Sequence, residues 1–281
     1  MDRFDWLELD STPGFAAPNS RTHAAPIEPV TMPKDAPSFY RAARGMRESG
    51  HFKAATDFYR RAVGFDDHHY DAWVELVDTL VRARRVEEAD ATSLEAHESH
   101  KQVRVLYASR ALVLAHLGRL NEAMQFSDVS VDADQSWYAR CVRGEVLLRM
   151  DVGFRGDALD LFEQATRLAQ NAWEPAFLAG WVLLDAKQYA LAAGYLAEAA
   201  HQHPRASLTW LCLGDCFREL KFYEQALFYY QRVTELEPSS AIAIQRQKEC
   251  GPLMFGLMRA FSRDSLQKRW RREFDKLFGR E

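Results

Sequence analysis

Cysteine is scarce in this chain of 281 residues, with only Cys141, Cys212, Cys216 and Cys250. Four irregularly spaced thiols make no disulfide framework and suit reduced side chains in a cytosolic compartment. Long apolar runs are missing as well: no stretch approaches the ~18 uninterrupted apolar residues of a membrane span. Neither sign of charge dominates, since 36 Lys/Arg face 40 Asp/Glu for a net −4, and nothing in the whole-chain balance favours nucleic acid. Catalytic signatures are absent too, with no glycine-rich phosphate loop, no His-Glu-x-x-His pair and no Gly-x-Ser-x-Gly turn. Cys212 and Cys216 stand four apart, but structural zinc takes four ligands and no second pair has suitable spacing. They read as packing cysteines. The histidine groups His68-His69, His97 with His100, and His201 with His203 read as turn or surface residues. No enzymatic activity, metal or cofactor is expected.

Proline is unevenly placed: six of the ten lie between Pro13 and Pro37, mixed with Ser, Thr, Ala and Gly. Residues 1–35 are therefore expected to form an extended, mobile arm. Its first ten residues, MDRFDWLELD, carry a net −3 and no apolar run of the signal-peptide kind. Phe4, Trp6 and Leu7 within them suit either an unstructured end or a short motif that docks on a basic, apolar surface. The protein is expected to be soluble and cytoplasmic.

A repeat organises the rest. Ser207 to Ser240 reads as two amphipathic helices, with Trp210, Leu213 and Phe217 on one face of the first and Trp210 and Phe217 expected in the core. Gly214 admits a second helix, which brings Ala226 and Tyr230 to the contact, and Pro238 ends it. Stepping back 34 residues turns Gly214 into Gly180, Ala226 into Ala192 and Pro238 into Pro204. An aromatic, a Leu-Gly pair, an aromatic, an Ala and a terminal Pro in this order resemble the tetratricopeptide-repeat (TPR) family. The resemblance implies an all-α, right-handed helical solenoid with a C-terminal capping or amphipathic helix.

Six hairpins are expected over 36–69, 70–103, 104–136, 137–172, 173–206 and 207–240. Val77 replaces a small residue in the second and should widen its packing. Ser127 and Ser130 replace larger or apolar residues in the third. In the fourth, Gly144 and Ala158 lie 14 apart where Gly180 and Ala192 lie 12 apart, so two extra residues sit in its turn. Beyond 240, a short helix from Ile242 to about Pro252 would cap the array, and a basic amphipathic helix would follow to 281. From Arg259 onward eight Lys/Arg oppose four Asp/Glu, net +4, leaving −8 for the rest. Trp270, Arg271 and Phe274 are the candidate tail contacts, either with the acidic arm or with a membrane surface.

By the resemblance, function lies on the concave face, lined by the first helix of each hairpin. The mapped positions are charged at the two ends, with Arg44, Arg47, Asp78 and Arg82 at one and Asp215, Arg218 and Glu219 at the other, and apolar in the middle. Leu112, Tyr138, Cys141, Phe177 and Trp181 are expected to converge there on an open trough that binds a protein or peptide segment, flanked by Glu145 and Asp185. Closure of the superhelix over this trough is the competing expectation. Family members that clamp acidic chaperone tails share Lys, Asn and Arg at fixed groove positions. Here those places hold Tyr40, Arg44, Glu75, Val105 and Ser109, so that clamp is missing. The function implied is a non-enzymatic interaction scaffold or adaptor, with self-association left open. The alternatives are a membrane-surface or nucleic-acid tether acting through the C-terminal helix, or a chaperone-like accessory subunit.

Overall fold

The computed structural model describes residues 33–133, 136–170 and 172–260. The arm residues Phe4, Trp6 and Leu7 and the tail residues Trp270, Arg271 and Phe274 lie outside them. The described residues form thirteen α-helices and no strand. Twelve pair as consecutive hairpins: α1 (Ala36–Glu48) with α2 (Phe52–Phe65), α3 (Tyr70–Arg82) with α4 (Val86–Ser99), and α5 (Arg104–His116) with α6 (Leu120–Ala133). They continue as α7 (Trp137–Met150) with α8 (Arg155–Leu168), α9 (Glu174–Asp185) with α10 (Tyr189–Gln202), and α11 (Ser207–Glu219) with α12 (Tyr223–Leu236). The last helix, α13 (Ala241–Ala260), packs on α12.

The start of the array is capped. Asp35 accepts a hydrogen bond from the Ser38 amide at 2.9 Å, and the Ser38 hydroxyl accepts one from the Asp35 amide at 3.1 Å. This reciprocal pair, with Pro37 in the first turn, satisfies amides that the helix itself leaves open. The turns inside the hairpins share a second device. Gly50, Arg84, Gly118, Lys187 and Lys221 all have positive φ, between 59° and 79°. In each case the next amide reaches back five residues, as from Phe222 to the Phe217 carbonyl at 2.8 Å. This closure absorbs orphan carbonyls at the helix end. The fourth hairpin departs from it. A 3-10 turn over Val152–Phe154 replaces the left-handed residue and accommodates the two extra residues.

Packing inside the hairpins works by volume exchange at one pair of positions. A Cβ added to Gly144, Gly180 or Gly214 would lie 2.5–2.6 Å from Phe162, Leu196 or Tyr230, so these bulky side chains occupy the space that glycine leaves. In the second and third hairpins the order reverses. Buried Val77 and Ala111 stand where the facing helix offers Ser93 and Ser127, both buried. The expected widening at Val77 is thus met by a smaller partner in α4. The serines are not orphaned: Arg110 Nη1 donates to Ser93 Oγ at 3.0 Å and Arg143 Nη1 to Ser127 Oγ at 2.7 Å. An arginine from the next hairpin takes the place of apolar bulk.

Two sequence expectations are corrected. The helix beginning near Ile242 does not stop at Gly251-Pro252 but runs on to Ala260, since an internal proline forfeits one backbone bond without forbidding helical φ. Trp210 is half-buried, stacked on Tyr229 at 6.0 Å with its indole donating to the Pro204 carbonyl. It lies at the edge of the core and not in it.

The superhelix closes on itself. Contacts join α1 to α11, more than 150 residues further along the chain, and Gly50 sits under Leu208. Arg44 pairs with Glu174, His203 Nε2 lies 3.2 Å from Glu48, and Phe52 meets Trp181 edge-on at 5.9 Å. The first hairpin is therefore seated against the fifth and sixth.

A non-glycine residue held at positive φ costs roughly 1 kcal/mol relative to glycine. Lys221→Gly and Lys187→Gly, both at exposed turns, should each raise stability by about that amount in urea unfolding, while Gly118→Ala should lower it. Equal midpoints for all three would contradict the turn assignment.

Candidate functional site

The inner face is built from the first helix of each hairpin, and ion pairs cross it. Arg47 of α1 pairs with both Glu75 and Asp78 of α3, the latter at 2.6 Å. Asp78 is 3.3 Å from Arg82, and Arg82 binds Glu145 of α7 through two bonds of 3.1 and 2.6 Å. His116 Nε2 of α5 lies 2.7 Å from Glu145, and Arg149 reaches both Glu145 and Asp185 of α9 at 3.4 Å. Arg84, from the turn after α3, completes the line to Asp185 at 2.5 Å. Asp78, Arg82 and Glu145 are 1%, 7% and 2% exposed, so the centre of this line is dry.

Burial opposes the charge on Glu145, but Arg82 and His116 outweigh it and hold the carboxyl far below its usual range. Glu75 behaves in the opposite way. Its burial, reinforced by the neighbouring Asp78, outweighs Arg47 and raises its carboxyl. The two acids therefore differ in how fully their charge is compensated.

These pairs fill what the sequence suggested would be an open trough. Leu112, Tyr138, Cys141, Glu145 and Phe177 are all buried, so they face one another and not solvent. Cys141 directs its thiol to the Pro175 carbonyl at 3.9 Å, and burial pushes that thiol well above its usual range. Glu145 is consumed by Arg82 and cannot flank an exposed peptide. Trp181 and Asp185 stay half-buried, Trp181 between Phe52 and Phe177, and Asp185 between Arg84 and Arg149. Closure by the first hairpin is the physical reason for the difference.

What remains accessible is the mouth of the inner face, where α1 approaches the starts of α7 and α9. Trp137 and Trp173 are half-buried there. Two adjoining depressions open at this point and share Arg47, Trp173, Glu174 and Phe177. Only about 10 Å³ in each admits a water-sized body, so the surface is shallow. Trp173 lies flat against His203 at 5.0 Å and packs on Phe177 at 5.4 Å. Trp137, Trp173 and His203 were not singled out as a site from the sequence. The recurrence of Trp at the first residues of two successive hairpins, 36 apart, was the available signal.

Residues 209–240 match the family model described as tetratricopeptide repeat. The chain carries a tetratricopeptide repeat there, within an all-helical solenoid of six hairpins. Among solved structures, YrrB, described as a TPR protein with an unusual peptide-binding site, is 18% identical over 68% of this chain and 97% of its own, at TM-score 0.41. TTC0263, a thermophilic TPR protein of Thermus thermophilus, is 14% identical over 76% and 98%, at 0.46. PilF of Pseudomonas aeruginosa is 19% identical over 76% and 97%, at 0.38. No curated protein matches the sequence. Among the described residues, no helix is long and apolar enough to cross a membrane.

Breaking one partner out of a buried ion pair costs about 3–5 kcal/mol, because the other charge stays buried. Glu145→Ala should destabilise by that order in urea unfolding, whereas Arg82→Leu combined with Glu145→Leu should recover most of the loss. The pH dependence follows from the depressed carboxyl. Its stabilisation is present above its unfolded value near 4.5 and is lost as pH falls below that. The gap between the parent and Glu145→Gln should therefore narrow on acidification below about pH 4.5. A pH-independent gap would contradict the pairing.

Proposed function

We propose that this TPR chain is a non-catalytic interaction scaffold that holds a short peptide segment at the mouth of its inner face. The observation that carries this reading is the pair Trp137 and Trp173, half-buried beside the two depressions. Large flat side chains at a partly open surface favour recognition, since each buries much area while losing few rotamers. The shallow depressions suit a segment that lies across them rather than a small molecule that needs enclosure. Buried Tyr138 and Phe177 support the depressions from below, whereas buried Leu112 and Cys141 do not line them. Affinity is expected in the micromolar range, about −8 kcal/mol. The tether alternative depends on residues outside those described, and no observation favours the accessory-subunit one.

A random twelve-residue peptide library selected on the full chain tests the reading. Sequences enriched on the parent should be lost from Trp137→Ala combined with Trp173→Ala, while helical content by circular dichroism persists. A folded double variant that enriches the same sequences would place recognition elsewhere.

A further inference from the structure

We propose that the mouth recognises a cationic side chain of its partner, arginine above lysine, set between carboxylates and the indole of Trp173. The inference rests on the reading of the mouth as a peptide site and adds its chemistry. Six charged residues line the two depressions: Arg44 and Arg47 against Glu48, Glu75, Asp78 and Glu174. Two positive and four negative groups leave −2. Continuing inward, Arg82, Arg149 and Arg84 stand against Glu145 and Asp185, one positive charge in excess, so a surplus of −1 remains.

The surplus lies where a partner can reach it. The side chains of Glu48 and Glu174 are 26% and 20% exposed, whereas Asp78 is 2% exposed and belongs to the core. Arg44 pairs with Glu174 and stands 4.0 Å from Glu48, so one guanidinium serves two carboxylates. Glu75, which lines the inner depression, has its carboxyl raised chiefly by burial, with Arg47 opposing and Asp78 adding to it.

The chain's own contacts show what the surface accepts. The His203 ring lies flat on Trp173, with its Nε2 3.2 Å from Glu48. A planar nitrogen base stacked on an indole and directed at a carboxylate is the arrangement that an incoming guanidinium would adopt. Arginine combines planar stacking with forked donation to carboxylates, and an ammonium group offers only a point charge. The charge is opposite to that needed for the acidic tails that the missing clamp would hold.

Two fluorescein-labelled peptides test the inference on the full chain: one alternating leucine and arginine, and its twin with glutamate in place of arginine. The arginine peptide should bind more tightly, and by more than its lysine counterpart. Glu48→Gln and Glu174→Gln should each weaken it roughly fivefold, the upper range for an exposed pair. Arg44→Gln, which releases Glu174, should tighten it, and Asp67→Asn on a distant exposed turn should leave it unchanged. Equal or tighter binding of the glutamate twin, failure of both peptides to bind, or an affinity indifferent to Glu48 and Glu174 but sensitive to Asp67 would overturn the proposal. Loss of library enrichment on removing Trp137 and Trp173 would still uphold the peptide site in that event. Enrichment that survives their removal would instead overturn the site itself.

Discussion

The buried line from Arg47 through Asp78 and Arg82 to Glu145 is the constraint on which the rest of the structure depends. Charges taken out of water are tolerated only when each finds its partner in good geometry. These four residues come from α1, α3 and α7, so the partners are in place only when those helices keep one relative arrangement. A solenoid whose hairpins contact only their neighbours has no such requirement. Here the requirement fixes the curvature, and the curvature brings the first hairpin against the fifth and sixth.

Closure changes what the inner face can do. Side chains that would line a groove join one continuous core, with Leu112, Cys141 and Phe177 buried in it. The proposed function accordingly places recognition at the edge, where Trp137, Trp173 and Trp181 stay partly exposed. The same residues that hold the ring shut at that edge, Arg44, Glu48, Glu174 and His203, are also the ones that a charged partner would meet. Binding and closure thus draw on one set of side chains.

Local features were legible in the sequence because each leaves a periodic mark. The 34-residue step located the hairpins, and the spacing from Gly144 to Ala158 located the irregular turn now seen at Val152–Phe154. Compensation between Val77 and Ser93 was not read, since it needs two helices to be compared at one position. Closure was harder still. Arg44 and Glu174 are 130 residues apart, and their meeting depends on small angles summed over four hairpins. A trace of it was present: the inner-face positions Arg47, Asp78, Arg82, Glu145, Arg149 and Asp185 alternate in sign in a way that permits pairing across a closed interior.

Distance measurement between the first and last hairpins bears most directly on closure. Spin labels at Lys53 and Arg205, both exposed, flank the contacts of Phe52 with Trp181 and of Glu48 with His203. Pulsed electron resonance on the full chain should give one narrow distribution at the short separation of the closed superhelix. Arg44→Ala with Arg47→Ala should broaden it and shift it outward. A broad, long distribution in the parent, unchanged by those substitutions, would show that the hairpins do not close and that the inner face is an open groove.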